Sequence, residues 1–397
     1  MRLLIVSAYF DNHRGGIEIV AGRLAGEFRR AGQTVTWLAS EIGGTCASDD
    51  ERDRRVGVPV FNGIENIFGI PFPIPAPKGL GMIRREVERA DVVMLHDCLY
   101  PTNIVAFLVA RLLGKPVLVT QHIANVPYRN PILRGLMKLM TRLVTRPMLA
   151  GADQTVFISN ITAKAFAAVR YPRRPRLIFN GVDTEIFHPA ASDGERAAVR
   201  KELGLPLDRP VALFVGRFVE KKGLHILHQA ARLGEDIVWA FAGWGALDPR
   251  QWGFPNVRVY SGLGAATLAP LYRASDAFVL PSTGEGLPLV LQEALACGVP
   301  AVCGAETAHA DERLAQLLHA VSIDDREPAE IAREVVLSVR AAIRERRHDQ
   351  FASVASWYSW PRAGQLYLDL MNMISTQAAA AQPRPTPSVL WQPGVDR

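Results

Sequence analysis

Glu285 and Glu293 stand with seven residues between them in the stretch Asp276–Val302, DAFVLPSTGEGLPLVLQEALACGVPAV. Paired carboxylates can hydrolyse a glycosidic bond, but only at separations of about 5 to 9.5 Å. The residues between them read largely as a helix opening near Pro288. At about 1.5 Å per residue that puts the carboxylates roughly 10 to 12 Å apart along the axis, which disfavours hydrolysis. The same stretch offers a second chemistry. The apolar run Ala277–Leu280 enters a Pro/Ser/Thr/Gly turn and then a helix N-terminus. The first N–H groups of a helix lack internal partners and carry the positive end of its dipole, so such a turn can hold a phosphate. An ordinary strand-to-helix connection has the same form.

Cations and a histidine stand at comparable turns. Arg217 follows the apolar run ALFVG, and Lys222 comes just before Gly223 and the next helical pattern. A guanidinium fork and an ammonium point charge at the two ends of one turn suit a diphosphate. The plain alternative is two solvated surface cations, and Lys221 is expected to stay in solvent. Gly15-Gly16, in GGIE, lies between the first strand and its helix, where adjacent glycines let a ligand approach the backbone. His122 ends VLVTQH at the carboxyl end of a strand, whereas His13, His96, His225, His228 and His309 read as structural or surface residues. The four cysteines, Cys46, Cys98, Cys297 and Cys303, have no metal-ligand spacing and read as reduced thiols.

The elements that must position these groups alternate. Leu3–Ser7, Thr34–Ala39, Asp91–Leu95, Pro116–Thr120, Thr155–Ser159 and Leu177–Phe179 read as strands separated by helix-length amphipathic stretches. After a polar linker over Asp183–Leu205 the alternation restarts with Val211–Val215, Ile237–Ala242, Val257–Tyr260, Ala277–Leu280 and Pro300–Cys303. Near-continuous apolar strands between helices predict parallel sheets covered on both faces, hence an α/β fold of two doubly wound domains with a ligand cleft. The proline-rich Phe61–Leu80 reads as a long loop. The domain boundaries expected are 1–184 and 185–359, with a helix over about 360–376 packing back on the first domain and a disordered tail over 377–397.

The chain has 397 residues, 49% hydrophobic and 21% charged, the composition of a globular enzyme of two domains. No apolar run is long enough to span a bilayer and no leader is evident, so a cytoplasmic location is expected. A net charge of +6 favours an anionic partner. Nucleic acid is disfavoured, because no aromatic platform or recognised motif accompanies the charge.

Taken together, GGIE, VTQH, FNGVD, GRFVEKKG and EGLPLVLQEALACGVP, in this order over Met1 to about Ile374, resemble family 4 of the retaining glycosyltransferases, with the GT-B fold of two Rossmann-like domains facing across a cleft. The resemblance implies a retaining, metal-independent enzyme that moves a hexose from a nucleotide-sugar, such as a UDP-sugar, to a glycan or lipid-linked saccharide. It needs no cofactor. Arg217, Lys222, Gly15 and Gly16 would hold the donor diphosphate, and Glu293 the ribose hydroxyls. Gly286, Leu287, Pro288, Leu289 and Val290 would meet sugar and phosphate, and Glu285 and His122 would be the catalytic residues beside the transferred sugar. Beyond Pro300 the chain departs from the family pattern, with AVCGAETAHADE over 301–312 and HAVSIDD later. A nucleotide-sugar epimerase and a non-catalytic binding subunit of the same fold are the alternatives.

Arg134, Lys138, Arg142 and Arg146 fall four apart on a helix over 131–148 whose other face carries Leu133, Leu136, Met137, Met140, Leu143 and Val144. Such a helix either packs on the core with a solvated basic face or lies on the inner membrane surface, against anionic lipid. A lipid-linked acceptor would favour the membrane and a peripheral location on its cytoplasmic face.

Overall fold

A computed structural model describes every residue except 14, 42–52, 62, 64–71, 125–130, 324–325, 346–349, 381–386 and 392–397. The chain divides into two units, Met1–Asn180 with Trp360–Arg397, and Gly181–Ser359. Each has its own sheet, and each is described by itself.

In the first unit the strands are β1 (Arg2–Val6), β2 (Thr34–Ser40), β3 (Asp53–Val58), β4 (Val92–His96), β5 (Val117–Gln121), β6 (Gln154–Phe157) and β7 (Arg176–Leu177). They pair in parallel in the order β7-β6-β5-β4-β1-β2-β3. β4, β5 and β6 are buried throughout, the condition of a parallel strand with helices on both faces. The chain builds outward from β1 to β3, then crosses back to lay β4 on the other side of β1. A switch point therefore lies between the carboxyl ends of β1 and β4, where open α/β sheets take ligands.

β3 was not expected, because DRRVGV lacks an apolar run. It is an edge strand whose charges are paired: Arg55 bonds Asp11 at 2.9 Å and lies over the Trp37 ring, Arg54 meets Glu86, and Asp53 meets Arg29. The proline-rich loop is also more ordered where it is described. Val60–Phe61 pairs antiparallel with Ile74–Pro75, and a helix begins at Pro77. The disordered tail expected over 377–397 is corrected at its described residues, while 381–386 and 392–397 lie outside them. The closing helix runs over Trp360–Ala379, and Val389–Leu390 then pairs antiparallel with Arg170–Tyr171. Trp391, only 6% exposed, stacks on Phe157 with ring centroids 5.7 Å apart. One tryptophan finds a place in the core that the Ala/Pro/Gln composition around it conceals.

The basic helix is a helix Pro131–Met140, a π-helical turn Thr141–Thr145 and a helix Arg146–Gly151. Its apolar residues do not all pack on the core, which was one of the two readings left open. Ile132, Leu136, Leu139 and Leu143 are 81%, 51%, 50% and 61% exposed, while Leu133, Met137, Met140 and Val144 are half-buried.

In the second unit β8 (Val211–Val215), β9 (Val238–Ala242), β10 (Val257–Tyr260), β11 (Ala277–Leu280), β12 (Ala301–Gly304) and β13 (Leu318–Val321) pair in parallel in the order β10-β9-β8-β11-β12-β13. Here the switch point lies between β8 and β11. The sequence beyond Pro300 departs from the family pattern, yet β12 and β13 continue the sheet there. Asp311, buried, ties this segment to the end of the unit: the Tyr358 hydroxyl donates to it at 2.5 Å and Arg313 pairs with it at 2.6 Å. Among the described residues no helix is long and apolar enough to cross a membrane.

Candidate active site

In the second unit the site is made by two loops at the switch point. β8 runs into Gly216-Arg217, and a single 3-10 turn, Glu220–Lys222, leads through Gly223 into the helix Leu224–Leu233. Gly223 has φ 76°, and a Cβ there would stand 2.1 Å from the carbonyl oxygen of Pro281, at the end of β11. Only glycine permits that approach. A backbone bond from Thr283 N–H to the Lys221 carbonyl, 3.0 Å, closes the two loops together.

This close approach brings Lys222 Nζ to 3.0 Å from Glu285 Oε1, with both side chains mostly buried. Lys221 stays in solvent as expected, its side chain 42% exposed, but its Nζ also stands 3.7 Å from the same oxygen and so adds its charge to the cluster. Burial opposes ionisation of Glu285, but the charges of Lys222, Lys221 and Arg217 outweigh it and hold the carboxyl below its ordinary pKa. Burial lowers the Lys221 ammonium against the pull of Glu285, and repulsion from Lys222 and Arg217 adds to that. Arg217 itself is exposed. The cluster therefore holds three cations around one carboxylate, a net positive charge suited to an anionic ligand.

Beyond Glu285, Gly286, Leu289 and Val290 are half-buried and Leu287 and Pro288 buried. The helix Leu289–Ala296 begins at Pro288 with no side-chain cap. Its N-terminus is thus left to backbone N–H groups. Glu293, half-buried on that helix, accepts a hydrogen bond from the Tyr272 hydroxyl at 3.0 Å. Burial, then the Glu293 charge, pushes the Tyr272 phenol well above its usual pKa, so it remains a donor. Tyr272 was not singled out from sequence; it stands 21 positions before its partner, on another helix. The two carboxylates of the motif therefore have separate partners.

The first unit holds the other expected residues. Gly15 precedes the helix Gly16–Arg30, and a Cβ on Gly15 would meet Glu18 Oε2 at 2.0 Å. The buried Glu18 carboxylate thus lies against the turn at the positive end of the helix, where an acid is stabilised. His122, at the end of β5, is 6% exposed, and its Nε2 stands 3.0 Å from Nδ1 of His96, at the end of β4. Burial draws the His122 pKa down to about 3, and burial, then His122, lowers that of His96, so the pair is neutral at ordinary pH.

Asp97 frames this pair. Its φ of 74° makes it the one non-glycine with positive φ among the described residues, a conformation that aspartate tolerates better than most. Its carboxyl accepts from Cys98 N–H at 2.8 Å, Gln121 Nε2 at 2.9 Å and Ile123 N–H at 3.0 Å. Burial raises its pKa against those donors. Asn103 donates to the carbonyls of His96 and Asp97 at 2.7 and 2.8 Å. Of this set sequence reasoning singled out only His122. The Asp49-Asp50 and Asp324-Asp325 pairs, which stand outside the recognised motifs, lie outside the described residues.

Comparison with known proteins gives the family and the fold. A family model described as Glycosyltransferase Family 4 matches residues 14–186, and one described as Glycosyl transferases group 1 matches residues 195–350. A D-inositol 3-phosphate glycosyltransferase of Geodermatophilus obscurus is 33% identical over 254 residues, 56% of this chain and 52% of that protein. An alpha-maltose-1-phosphate synthase of Mycolicibacterium smegmatis is 28% identical over 257 residues, 58% of this chain and 65% of that protein. The chain thus spans about half to two thirds of the length of these relatives. Among solved structures, sucrose-phosphate synthase from Thermosynechococcus elongatus superposes with a TM-score of 0.72 at 20% identity, covering 96% of this chain and all (100%) of that one. Anabaena HepE in complex with UDP-glucose gives 0.68 at 17% identity, covering 94% and 100%. These likenesses place the fold.

Proposed function

The chain belongs to the family 4, group 1 glycosyltransferases, and on that premise we propose that it moves a hexose from a nucleotide-sugar to a hydroxyl acceptor with retention and without a metal. The observation that carries this reading is the cluster of Lys222, Lys221 and Arg217 around the ionised Glu285 at the switch point of the second sheet. When the C1–O bond to the leaving diphosphate breaks, negative charge grows on the phosphate oxygens. Fixed cations and helix N–H groups aimed at it lower the barrier. Arg217 and Lys222 are assigned to the diphosphate, together with the Gly15-Gly16 turn. The N–H groups around Gly286–Val290 are assigned to sugar and phosphate, Glu293 to the ribose, and Glu285 and His122 to the transferred sugar. The acceptor oxygen bonds C1 on the face the phosphate leaves, and its proton passes to a leaving phosphate oxygen. The arrangement needs no enzyme nucleophile.

The acceptor proposed is a glycan or lipid-linked saccharide. What supports it is the helix pair over 131–151, where exposed Ile132, Leu136, Leu139 and Leu143 stand beside exposed Arg134, Lys138, Arg142 and Arg146. Apolar side chains beside a basic stripe suit the cytoplasmic face of an anionic membrane, at about 1 kcal/mol per cation near the surface. Sedimentation with phosphatidylglycerol vesicles is expected for the wild type and to be lost in Leu136→Asp/Leu139→Asp; equal sedimentation of both would remove this arm. A soluble sugar or cyclitol phosphate is the second acceptor reading, favoured by the names of the relatives.

The test of the reaction is release of nucleoside diphosphate from a panel of nucleotide-sugars, UDP-sugars first, with each acceptor class added in turn. Release that depends on acceptor, and that falls about 100-fold or more in Glu285→Ala and Arg217→Ala, is expected. Conversion of the nucleotide-sugar without acceptor would favour an epimerase, and neither conversion nor binding a non-catalytic subunit. Transfer unchanged in both variants would overturn the site.

A further inference from the structure

His96 and His122 end neighbouring strands, and their proton count can be worked out from the groups around them. Nδ1 of His96 and Nε2 of His122 are 3.0 Å apart, with the rings inclined by 27°. A neutral imidazole has one N–H, so a hydrogen bond between two such nitrogens needs one protonated and one bare. If His122 Nε2 carried the proton, His96 Nδ1 would be bare and the His96 proton would sit on Nε2. That nitrogen is buried and has no hydrogen-bond partner. Buried N–H groups without an acceptor are rarer in folded proteins than buried acceptors without a donor. The converse arrangement puts the proton on His96 Nδ1 and leaves only a lone pair at the buried Nε2. His122 Nε2 then accepts, and the His122 proton is forced onto Nδ1. The backbone on both sides is fixed by Asn103 and Asp97, and both rings are buried, His96 fully and His122 at 6% exposure, so close packing leaves them no room to swing out of the pair.

We propose that His96 is a positioning residue that holds His122 as its Nδ1–H tautomer, so that His122 presents a hydrogen-bond donor, not a base, to an oxygen of the bound sugar. The first half stands on the proton count alone; the second rests on the assignment of His122 to the sugar. A donor at this place steadies a hydroxyl through its lone pair and removes no proton, consistent with a reaction in which the acceptor proton goes to the leaving phosphate.

Long-range proton–nitrogen correlation spectra of the imidazoles at neutral pH, with His122 assigned by its loss in His122→Gln, test the pairing without any assay. Nδ1 of His122 protonated and Nε2 bare is the expected wild-type result; Nε2 protonated overturns the proposal, and this spectrum needs no variant of His96. In His96→Leu the His122 proton is expected to redistribute toward Nε2. In His96→Asn, whose amide N–H stands near the place of the ring Nδ1, the wild-type pattern should return. Transfer should fall about tenfold in His96→Leu, recover in His96→Asn, and fall no further when His96→Leu is added to His122→Gln. A tautomer unchanged in a folded His96→Leu overturns the proposal. A shifted tautomer with unchanged transfer supports the pairing and overturns the assignment of His122 to the sugar.

Discussion

Glu285 is kept ionised by its neighbours, and that has a consequence for acid stability. Its pKa lies below the ordinary 4.5 because Lys222, Lys221 and Arg217 outweigh its burial. A depressed folded-state value means that its contribution is complete above about pH 4.5 and is lost as pH falls through the lower folded value. Denaturant midpoints measured from pH 6 down to pH 3 are therefore expected to drop more steeply below about pH 4.5 in the wild type than in Glu285→Gln. Parallel curves would mean that the carboxylate has no such partners in solution. At this scale the residues that meet around Glu285 could be picked out in part, because Arg217, Lys222 and Glu285 sit in local motifs that resemble those of a known family, and the structure brings Lys222 to Glu285. Their supports could not. Tyr272 and His96 act on partners 21 and 26 positions away, and nothing in a linear pattern joins a tyrosine on one helix to a glutamate on another.

Elements set these distances by where they can touch. Gly223 lets the start of the helix Leu224–Leu233 press against the carbonyl of Pro281, and the Lys222–Glu285 pair depends on that approach. Gly223→Ala meets both the clash and a left-handed φ, a strain of order 1–3 kcal/mol before any rearrangement. Titration calorimetry with the preferred nucleotide-sugar should find its donor affinity reduced about tenfold or more, although residue 223 brings no side chain to the ligand. Wild-type affinity in a folded Gly223→Ala would show that the loop junction is not what places Lys222. The buried strands were readable because apolar runs mark parallel strands covered on both faces. β3 and β13 escaped because edge strands carry charged or alternating residues. The helix over 131–148 was readable as basic and amphipathic, but the π-helical turn and the outward Ile132, Leu136, Leu139 and Leu143 belong to packing that periodicity does not encode.

At the scale of the molecule the chain repeats one solution, a parallel sheet whose strand order reverses beside its first strand, and places its candidate groups at both reversals. The alternation of strands and helices made this legible. The return of the chain was legible only in part: the helix Trp360–Ala379 belongs to the first unit, and so does Trp391, from a stretch whose composition reads as a tail. The reversal of the second sheet, with Arg217 and Lys222 beside Glu285, is the diphosphate site proposed, one that works through side-chain cations. Titration calorimetry of UDP and other nucleoside diphosphates into the full chain in the presence of EDTA tests it most directly. Saturable binding of at least one diphosphate by the wild type, weakened about 10- to 100-fold in Arg217→Ala and in Lys222→Ala, is the predicted result. No binding of any diphosphate without a divalent cation, or equal binding by the wild type and both variants, would contradict it.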